Sequence, residues 1–160
     1  MDSNLKRGRW IGYDPPTYSI ELIGKVMGIV GLGSIGIKVA RIAKALRMKV
    51  VAIKRKPNPL LRELLGLFFL GGPKDLDYLL KESDFLVLTL PLTKATGGLI
   101  GERELKLMKP SSFLINVSRG AIVDERALYK ALKEKWIAGA GIDVWYAYPP
   151  DPRTPSPLNI

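Results

Sequence analysis

Short apolar segments alternate with helix-like segments along most of the sequence, and this alternation constrains the fold more than any other feature. The strand-like runs lie at 25–31, 49–53, 85–90, 112–117 and 137–144, with a weaker candidate at 67–70. The helix-like segments between them lie at 34–46, 59–65, 73–83, 102–108 and 124–135. Runs such as FLVLTL are apolar at successive positions, as expected of strands that are covered on both faces. The pattern predicts an α/β fold with a doubly wound parallel sheet in three α/β/α layers.

The segment GLGSIG, which starts at Gly31, carries the GxGxxG pattern at the junction of the first strand and the first helix. In a Rossmann-type fold, free N–H groups at such a helix start bind a diphosphate. Gly31 would permit the tight turn, Gly33 would let phosphates approach, and Gly36 would let the helix pack closely. We therefore predict a dinucleotide site that also includes Ser34 and Ile35. The alternative is a tight strand-to-helix turn without a ligand.

The predicted helix that follows this turn has five apolar residues at the spacing of one helical face. These residues are Ile35, Val39, Ile42, Ala43 and Leu46. The pattern predicts an amphipathic helix.

Three cations follow the second strand, at the position where dinucleotide-binding folds commonly carry an acidic residue for the ribose hydroxyls. They are Lys54, Arg55 and Lys56. Cationic side chains pair well with a ribose 2′-phosphate. The sequence therefore favours NADP as the cofactor, with NAD possible. The alternative is a solvated loop without a ligand.

The composition excludes several other classes of protein. The net charge is +10, but the basic residues are scattered over helix-like segments, and only the cluster at 54–56 is contiguous, so nucleic acid is not the expected partner. The sequence has no cysteine and no histidine, which removes the usual metal ligands, and we expect no metal site. No apolar run approaches the roughly 20 residues that span a bilayer. A cytoplasmic location, away from membranes, is the expectation.

Three further motifs fall at predicted strand ends: TLPLT at 89–93, NVSRG at 116–120 and IDVWYAYP at 142–149. With the glycine segment, they resemble the nucleotide-binding domain of the D-isomer-specific 2-hydroxyacid dehydrogenases, which include phosphoglycerate dehydrogenase and the glyoxylate and hydroxypyruvate reductases. The resemblance runs from GRWIGYDPP at 8–16 to the proline-rich end. It implies an oxidoreductase that transfers hydride between a nicotinamide dinucleotide and a small 2-hydroxy or 2-keto acid.

The resemblance also assigns roles to individual residues. Arg119 matches the active-site arginine that binds the substrate carboxylate, and Asp143 matches the acidic residue that orients the nicotinamide carboxamide. Without the resemblance, Arg119 could equally be an ordinary loop arginine, and Asp143 could simply cap a turn. Other positions assigned to cofactor binding are Leu90, Pro91, Thr96, Val117 and Ser118.

Two catalytic residues of the family, a histidine and a glutamate, are not found in these motifs. The catalytic histidine of the family would lie beyond Ile160, and Tyr148 stands where the family carries its glutamate. We expect residues 148–160 to be a proline-rich tail that leads toward a substrate domain missing from this sequence, whereas 25–147 form the dinucleotide-binding domain. The chain alone is expected to bind cofactor with little turnover. The alternative function is a non-catalytic dinucleotide sensor or regulatory protein.

Residues 1–24 are expected to form a crossover segment and dimerisation arm. In the family, nucleotide domains pair through the segment that matches 8–22. Trp10, Tyr13 and Tyr18 lie there, near the start of the chain and away from any predicted strand. Because such aromatic residues would be poorly covered in a monomer, we expect a homodimer.

Overall fold

The protein is built around one six-stranded parallel sheet. The computed structural model describes residues 6–8 and 20–146. The strands are β1 (Val26–Val30), β2 (Lys49–Ile53), β3 (Phe69–Gly71), β4 (Phe85–Leu88), β5 (Phe113–Asn116) and β6 (Gly139–Ile142). They lie in the order β3-β2-β1-β4-β5-β6. This order confirms the predicted doubly wound Rossmann-type sheet, with its direction of winding reversed between β1 and β4.

Within the described residues, five α-helices connect the strands. They are α1 (Ser34–Ala45), α2 (Pro59–Leu64), α3 (Leu76–Glu82), α4 (Glu102–Leu107) and α5 (Glu125–Lys133). Two of them begin at side-chain caps, because Asn58 accepts the Leu60 N–H at 2.9 Å and Asp124 accepts the Ala127 N–H at 2.7 Å. Short 3₁₀ turns at Pro73–Asp75 and Gly120–Ile122 lead into α3 and α5.

The core has two parts, one on each face of the sheet. On one face, Val51 and Ile53 of β2 share a buried cluster with residues of α3, α4 and α5. On the other, Val50 and Ala52 of the same strand pack with α1. Successive residues of β2 thus contribute to opposite faces, which confirms the three-layer α/β/α arrangement.

The fully buried residues of helix α1 are small, and Ile37 and Val39 pack beside them partly buried. Its buried residues are Gly36, Ala40 and Ala43, whereas Ile35, Ile42 and Leu46 are exposed. A Cβ atom at position 36 would lie 2.5 Å from the Gly31 carbonyl oxygen, so the helix approaches the turn too closely for a side chain there. Of the five residues predicted to share one apolar face, Ala43 is buried and Val39 packs against the core, whereas Ile35, Ile42 and Leu46 are exposed, so only part of that face covers the sheet.

The third strand begins later than the predicted segment 67–70. Gly66 has a φ of 58° and ends α2, and the Leu67 N–H bonds back to the Arg62 carbonyl at 3.0 Å. Leu67 therefore completes the end of the helix, the Phe68 N–H donates to the Val50 carbonyl of β2 at 2.9 Å, and β3 starts at Phe69. The existence of the strand is confirmed, but its start was predicted two residues too early.

The amino ends of the strands are tied together by Asp84, which precedes β4. Its carboxylate accepts the Val26 N–H at 2.8 Å and the Lys109 ammonium at 3.0 Å. Lys109 also donates to the Glu82 carbonyl. Burial alone would raise the pKa of the Asp84 carboxyl, but the bonds from Val26 and Lys109 outweigh it and hold the pKa below its usual value.

Candidate dinucleotide site

A cleft of about 590 Å³ lies at the carboxyl ends of β1, β2 and β4. These ends are level, because Val30 pairs with Ile53 on one side and with Leu88 on the other. The cleft is lined by residues 30–33 of the glycine turn, 53–56 after β2, Pro73 and Leu76 before and in α3, and several residues between Thr89 and Leu99. It therefore sits where the strand order reverses, the usual ligand position in open α/β sheets.

The backbone N–H groups of residues 31–36 fall into two sets, one with hydrogen-bond acceptors and one without. The N–H groups of Gly31 and Leu32 donate to the Ile53 carbonyl at 3.0 and 3.3 Å. The Gly33 N–H donates to the Gly31 carbonyl at 2.9 Å. Within residues 6–8 and 20–146, the N–H groups of 34–36 have no acceptor outside or inside α1. The donors available to an anion are thus those of the first helical turn.

The glycines of the turn have different surroundings. Gly31 has a φ of 100°, and a Cβ atom there would lie 2.8 Å from the Leu90 Cβ atom. A Cβ atom at Gly33 would meet no atom within 4 Å, so it would project into open space beside the free N–H groups. The turn is thus open at Gly33 and closed around Gly31. Open space beside free helix-start N–H groups is what a diphosphate group requires.

The cations after β2 differ in their contacts. Lys54 is half-buried, and its ammonium donates to the Leu32 carbonyl of the glycine turn at 3.0 Å. Arg55 and Lys56 are exposed and line the same cleft. All three predicted residues thus reach the cleft, but the Lys54 ammonium group is already bonded to the turn.

The loop after β4 forms another wall of the cleft. Leu90, Pro91 and Thr96 all line it. The Thr96 hydroxyl donates to the Pro91 carbonyl at 2.7 Å and accepts the Thr93 N–H at 2.8 Å, so it holds the loop closed on itself. The predicted cofactor contacts of this loop are therefore placed in the cleft.

The arginine corner, residues 116–119 at the end of β5, lies outside this cleft. Asn116 is 1% exposed, and its Nδ2 amide donates to the Arg119 carbonyl at 3.0 Å. Its Oδ1 atom accepts the Ser118 N–H, and its carbonyl accepts the Asp143 N–H. The Arg119 side chain is exposed and donates one bond, to the Ser118 carbonyl at 2.7 Å. Arg119 and Asp143 are thus fixed at neighbouring strand ends through one asparagine.

Some of the predicted site residues lie away from the cleft. Val117, Ser118, Arg119 and Asp143 belong to the β5 and β6 ends and do not line the 590 Å³ cleft. Val117 is exposed, whereas Ser118 is buried with its hydroxyl bonded to the Leu88 carbonyl at 2.8 Å. Further predicted positions, Trp10, Tyr13, Tyr18 and Tyr148, lie outside the described residues.

Two positioning residues were missed by the sequence analysis. Thr89 follows β4, and its hydroxyl donates to the Gly31 carbonyl at 2.6 Å. Asn116 ends β5 and holds the arginine corner. Both could have been recognised as polar residues at the carboxyl end of a buried strand. A buried polar side chain there needs a hydrogen-bond partner, because leaving it without one costs free energy.

Tyr146 lies beyond the end of β6, and its hydroxyl is buried without a partner in the part of the chain that the structure describes. Burial, with smaller contributions from Glu125 and Asp124, raises the pKa of the Tyr146 hydroxyl to about 12. The phenol therefore stays protonated at neutral pH and is not a general base there.

A parallel sheet with its order reversed beside a GxGxxG turn defines a dinucleotide-binding Rossmann domain. The family model for the D-isomer specific 2-hydroxyacid dehydrogenase NAD binding domain matches residues 1–158. The chain belongs to this family of oxidoreductases and constitutes its NAD-binding domain.

Individual relatives agree with this assignment. The chain is 48% identical over 153 residues to a glyoxylate reductase of Thermococcus litoralis, an alignment that covers 92% of this chain and 45% of that protein. The NAD-complexed D-isomer specific 2-hydroxyacid dehydrogenase of Lactobacillus delbrueckii ssp. bulgaricus superposes with a TM-score of 0.75 at 38% identity, covering 89% of this chain and 43% of that one. An acyclic imino acid reductase in complex with NADPH and D-Arg gives 0.78 at 37% identity, covering 94% and 46%.

The chain thus spans less than half the length of the relatives it matches. Among the helices of the described residues, none has both the length and the apolar character that a membrane crossing requires.

Proposed function

We propose that this chain binds a nicotinamide dinucleotide, with NADP(H) favoured over NAD(H), as the cofactor half of a reductase of small 2-keto acids. The observation that carries the proposal is the set of free N–H groups at 34–36, at the start of a 12-residue helix beside an open cleft. The positive end of the helix adds to these donors. A diphosphate is the ligand group that matches them.

The preference for NADP(H) rests on the cations at the carboxyl end of β2. Arg55 and Lys56 are exposed and line the cleft at the position where an acidic residue would accept ribose hydroxyls. Arg55 can pair bidentately with a 2′-phosphate. The structural relatives include two complexes with NAD and one with NADPH, so relatives of this domain bind either dinucleotide.

The cofactor, when bound, supplies hydride at its nicotinamide ring. The proposed role of Arg119 is to hold the substrate carboxylate, because its exposed guanidinium uses one donor on the Ser118 carbonyl and retains the others. The proposed role of Asp143 is to orient the carboxamide of the cofactor. The sequence has no histidine to donate a proton to the product oxygen, so the chain alone is expected to turn over slowly.

We also propose that the chain forms a homodimer. The support is the exposed apolar stripe on α1, formed by Ile35, Ile42 and Leu46, which no described segment covers. A second copy would remove this surface from water. Most of the predicted arm at 8–22, residues 9–19, lies outside the described residues.

The cofactor proposal is tested by titrating the purified chain with NADPH and with NADH, with calorimetry as the readout. NADPH is expected to bind more tightly. Arg55→Ser should weaken NADPH by roughly tenfold and NADH much less, since one charge-assisted contact is lost. The matched control is Arg41→Ser, which removes an exposed arginine of α1 that does not line the cleft.

Two results would contradict these proposals separately. Failure of both nucleotides to bind at millimolar concentration would refute the dinucleotide site. NADH binding at least as tightly as NADPH would refute only the preference.

A further inference from the structure

The glycine turn is held by two side chains that come from the strands on either side of β1. The Thr89 hydroxyl, after β4, donates to the Gly31 carbonyl at 2.6 Å. The Lys54 ammonium, after β2, donates to the Leu32 carbonyl at 3.0 Å. The two residues therefore contact successive carbonyl groups of the turn.

Both internal peptide groups of the turn are consequently bonded at both ends. In the peptide between Gly31 and Leu32, the carbonyl accepts the Thr89 hydroxyl and the N–H donates to Ile53. In the next peptide, the Leu32 carbonyl accepts Lys54 and the Gly33 N–H donates to the Gly31 carbonyl. Neither peptide plane can rotate without breaking a bond at each end.

These bonds matter for an anion because the turn leads directly into the free N–H groups of 34–36. A rotated peptide would turn a carbonyl oxygen, with its partial negative charge, toward the diphosphate. Donors on both carbonyls hold those oxygens and offset part of their charge. The conformation of the turn therefore sets the geometry of the donors that follow it.

We propose that Lys54 and Thr89 are positioning residues of the diphosphate site, and that the discrimination of the 2′-phosphate belongs to Arg55 and Lys56. This inference rests on the proposed function. It differs from the sequence-based prediction, in which Lys54 was one of the cations that recognise the 2′-phosphate. The reason is the position of the Lys54 ammonium, which contacts the turn that every dinucleotide would share.

Affinity measurements separate the two roles. Lys54→Met and Thr89→Val should each weaken NADPH and NADH by similar factors, roughly tenfold. Thr89→Ser keeps the hydroxyl and should restore affinity to near the wild-type value. Arg55→Met, by contrast, should weaken NADPH selectively. A Lys54→Met variant that loses NADPH but keeps NADH would overturn the proposal, and so would a Thr89→Ser variant as weak as Thr89→Val.

A second readout needs no nucleotide. Amide hydrogen exchange of the ligand-free chain, resolved by NMR, should show faster exchange at the Leu32 and Gly33 N–H groups in Lys54→Met and Thr89→Val, with Arg41→Met as the unaffected control. Unchanged exchange at both amides in both variants would overturn the proposal. The wild-type chain could also bind no dinucleotide while amide exchange responded as expected. In that case Lys54 and Thr89 would still be shown to hold the turn, and only the proposed function would be refuted.

Discussion

The buried Asn116 side chain donates from Nδ2 to the Arg119 carbonyl at 3.0 Å and accepts the Ser118 N–H on Oδ1 at the same distance. One side chain therefore bonds to both of the residues that follow Val117. The backbone carbonyl of Asn116 accepts the Asp143 N–H as well. The position of the arginine corner thus depends on a residue that need not touch any ligand.

Replacement of Asn116 should lower the free energy of unfolding. Asn116→Ala would leave the Ser118 N–H and the Arg119 carbonyl without their partners in a buried setting, and we expect a loss of about 1–3 kcal/mol in the free energy of unfolding. Urea unfolding followed by circular dichroism measures it. Val117→Ala, at the exposed neighbouring position, is the control and should change stability by less than about 0.5 kcal/mol. Equal effects of the two substitutions would contradict this account of the corner.

Gly33 provides a test of the open cradle. A valine there meets no protein atom within 4 Å of its Cβ, so Gly33→Val should fold normally while its side chain occupies the space beside the free N–H groups. We expect dinucleotide affinity to fall by roughly tenfold or more, since phosphates could no longer approach. Gly141→Val, at an exposed position of β6 outside the cleft, is the matched control. Undiminished affinity in Gly33→Val would place the diphosphate elsewhere.

Asp84 should make stability depend on acid pH. Its folded-state pKa lies below the unfolded value of about 3.9, so the ionised carboxylate contributes stability above that pH and loses it as pH falls through the folded pKa. Asp84→Asn should cost about 1–3 kcal/mol at pH 7, because the charge-assisted bond from Lys109 is lost. The difference from wild type should shrink below about pH 4 in urea unfolding experiments.

The control for this experiment is Glu63→Gln, which removes an exposed carboxylate of α2 that forms no ion pair within the described residues. Its difference from wild type should stay small at every pH. A constant difference between Asp84→Asn and wild type down to about pH 3 would show that the Asp84 charge does not contribute.

The dimer proposal predicts different results for two exposed apolar residues. Ile42, on the α1 stripe, is 63% exposed, and Leu60, on α2, is 69% exposed. Ile42→Glu should convert a wild-type dimer into a monomer, because a charge would be buried in the interface, whereas Leu60→Glu should leave the dimer intact. Sedimentation velocity at micromolar concentration distinguishes the species. A monomeric wild-type chain would refute the dimer, and a dimeric Ile42→Glu variant would move its interface away from α1.

The sheet could be predicted from sequence because its strands are short apolar runs between helices. A run such as FLVL at Phe85–Leu88 has few other ways to bury both of its faces. The glycine turn was recognisable for a related reason, since its three glycines have fixed offsets from the end of β1. Gly31 and Gly36 are indeed positions where a side chain would collide with its surroundings.

The details of α1 and of the cations could not be predicted in the same way. Apolar periodicity predicts which residues share a helical face but not which of them reach the sheet. Ile42 is exposed, whereas Gly36, Ala40 and Ala43 are buried because small residues allow the closer approach. Lys54 and Asn116 pose a different problem. Their partners are backbone carbonyls distant in sequence or set by loop geometry, which the identities of side chains do not reveal.

The contact between α1 and the turn beneath it limits the substitutions that the proposed diphosphate site could tolerate. At position 36 the gap is narrower than a methyl group, so even an alanine would act as a wedge under the first turn of α1. An alanine there is expected to tilt α1 and so to shift the free N–H groups of 34–36 together, away from the cleft. The geometry of the proposed diphosphate site is therefore set by the buried face of α1 as well as by the residues that line the cleft.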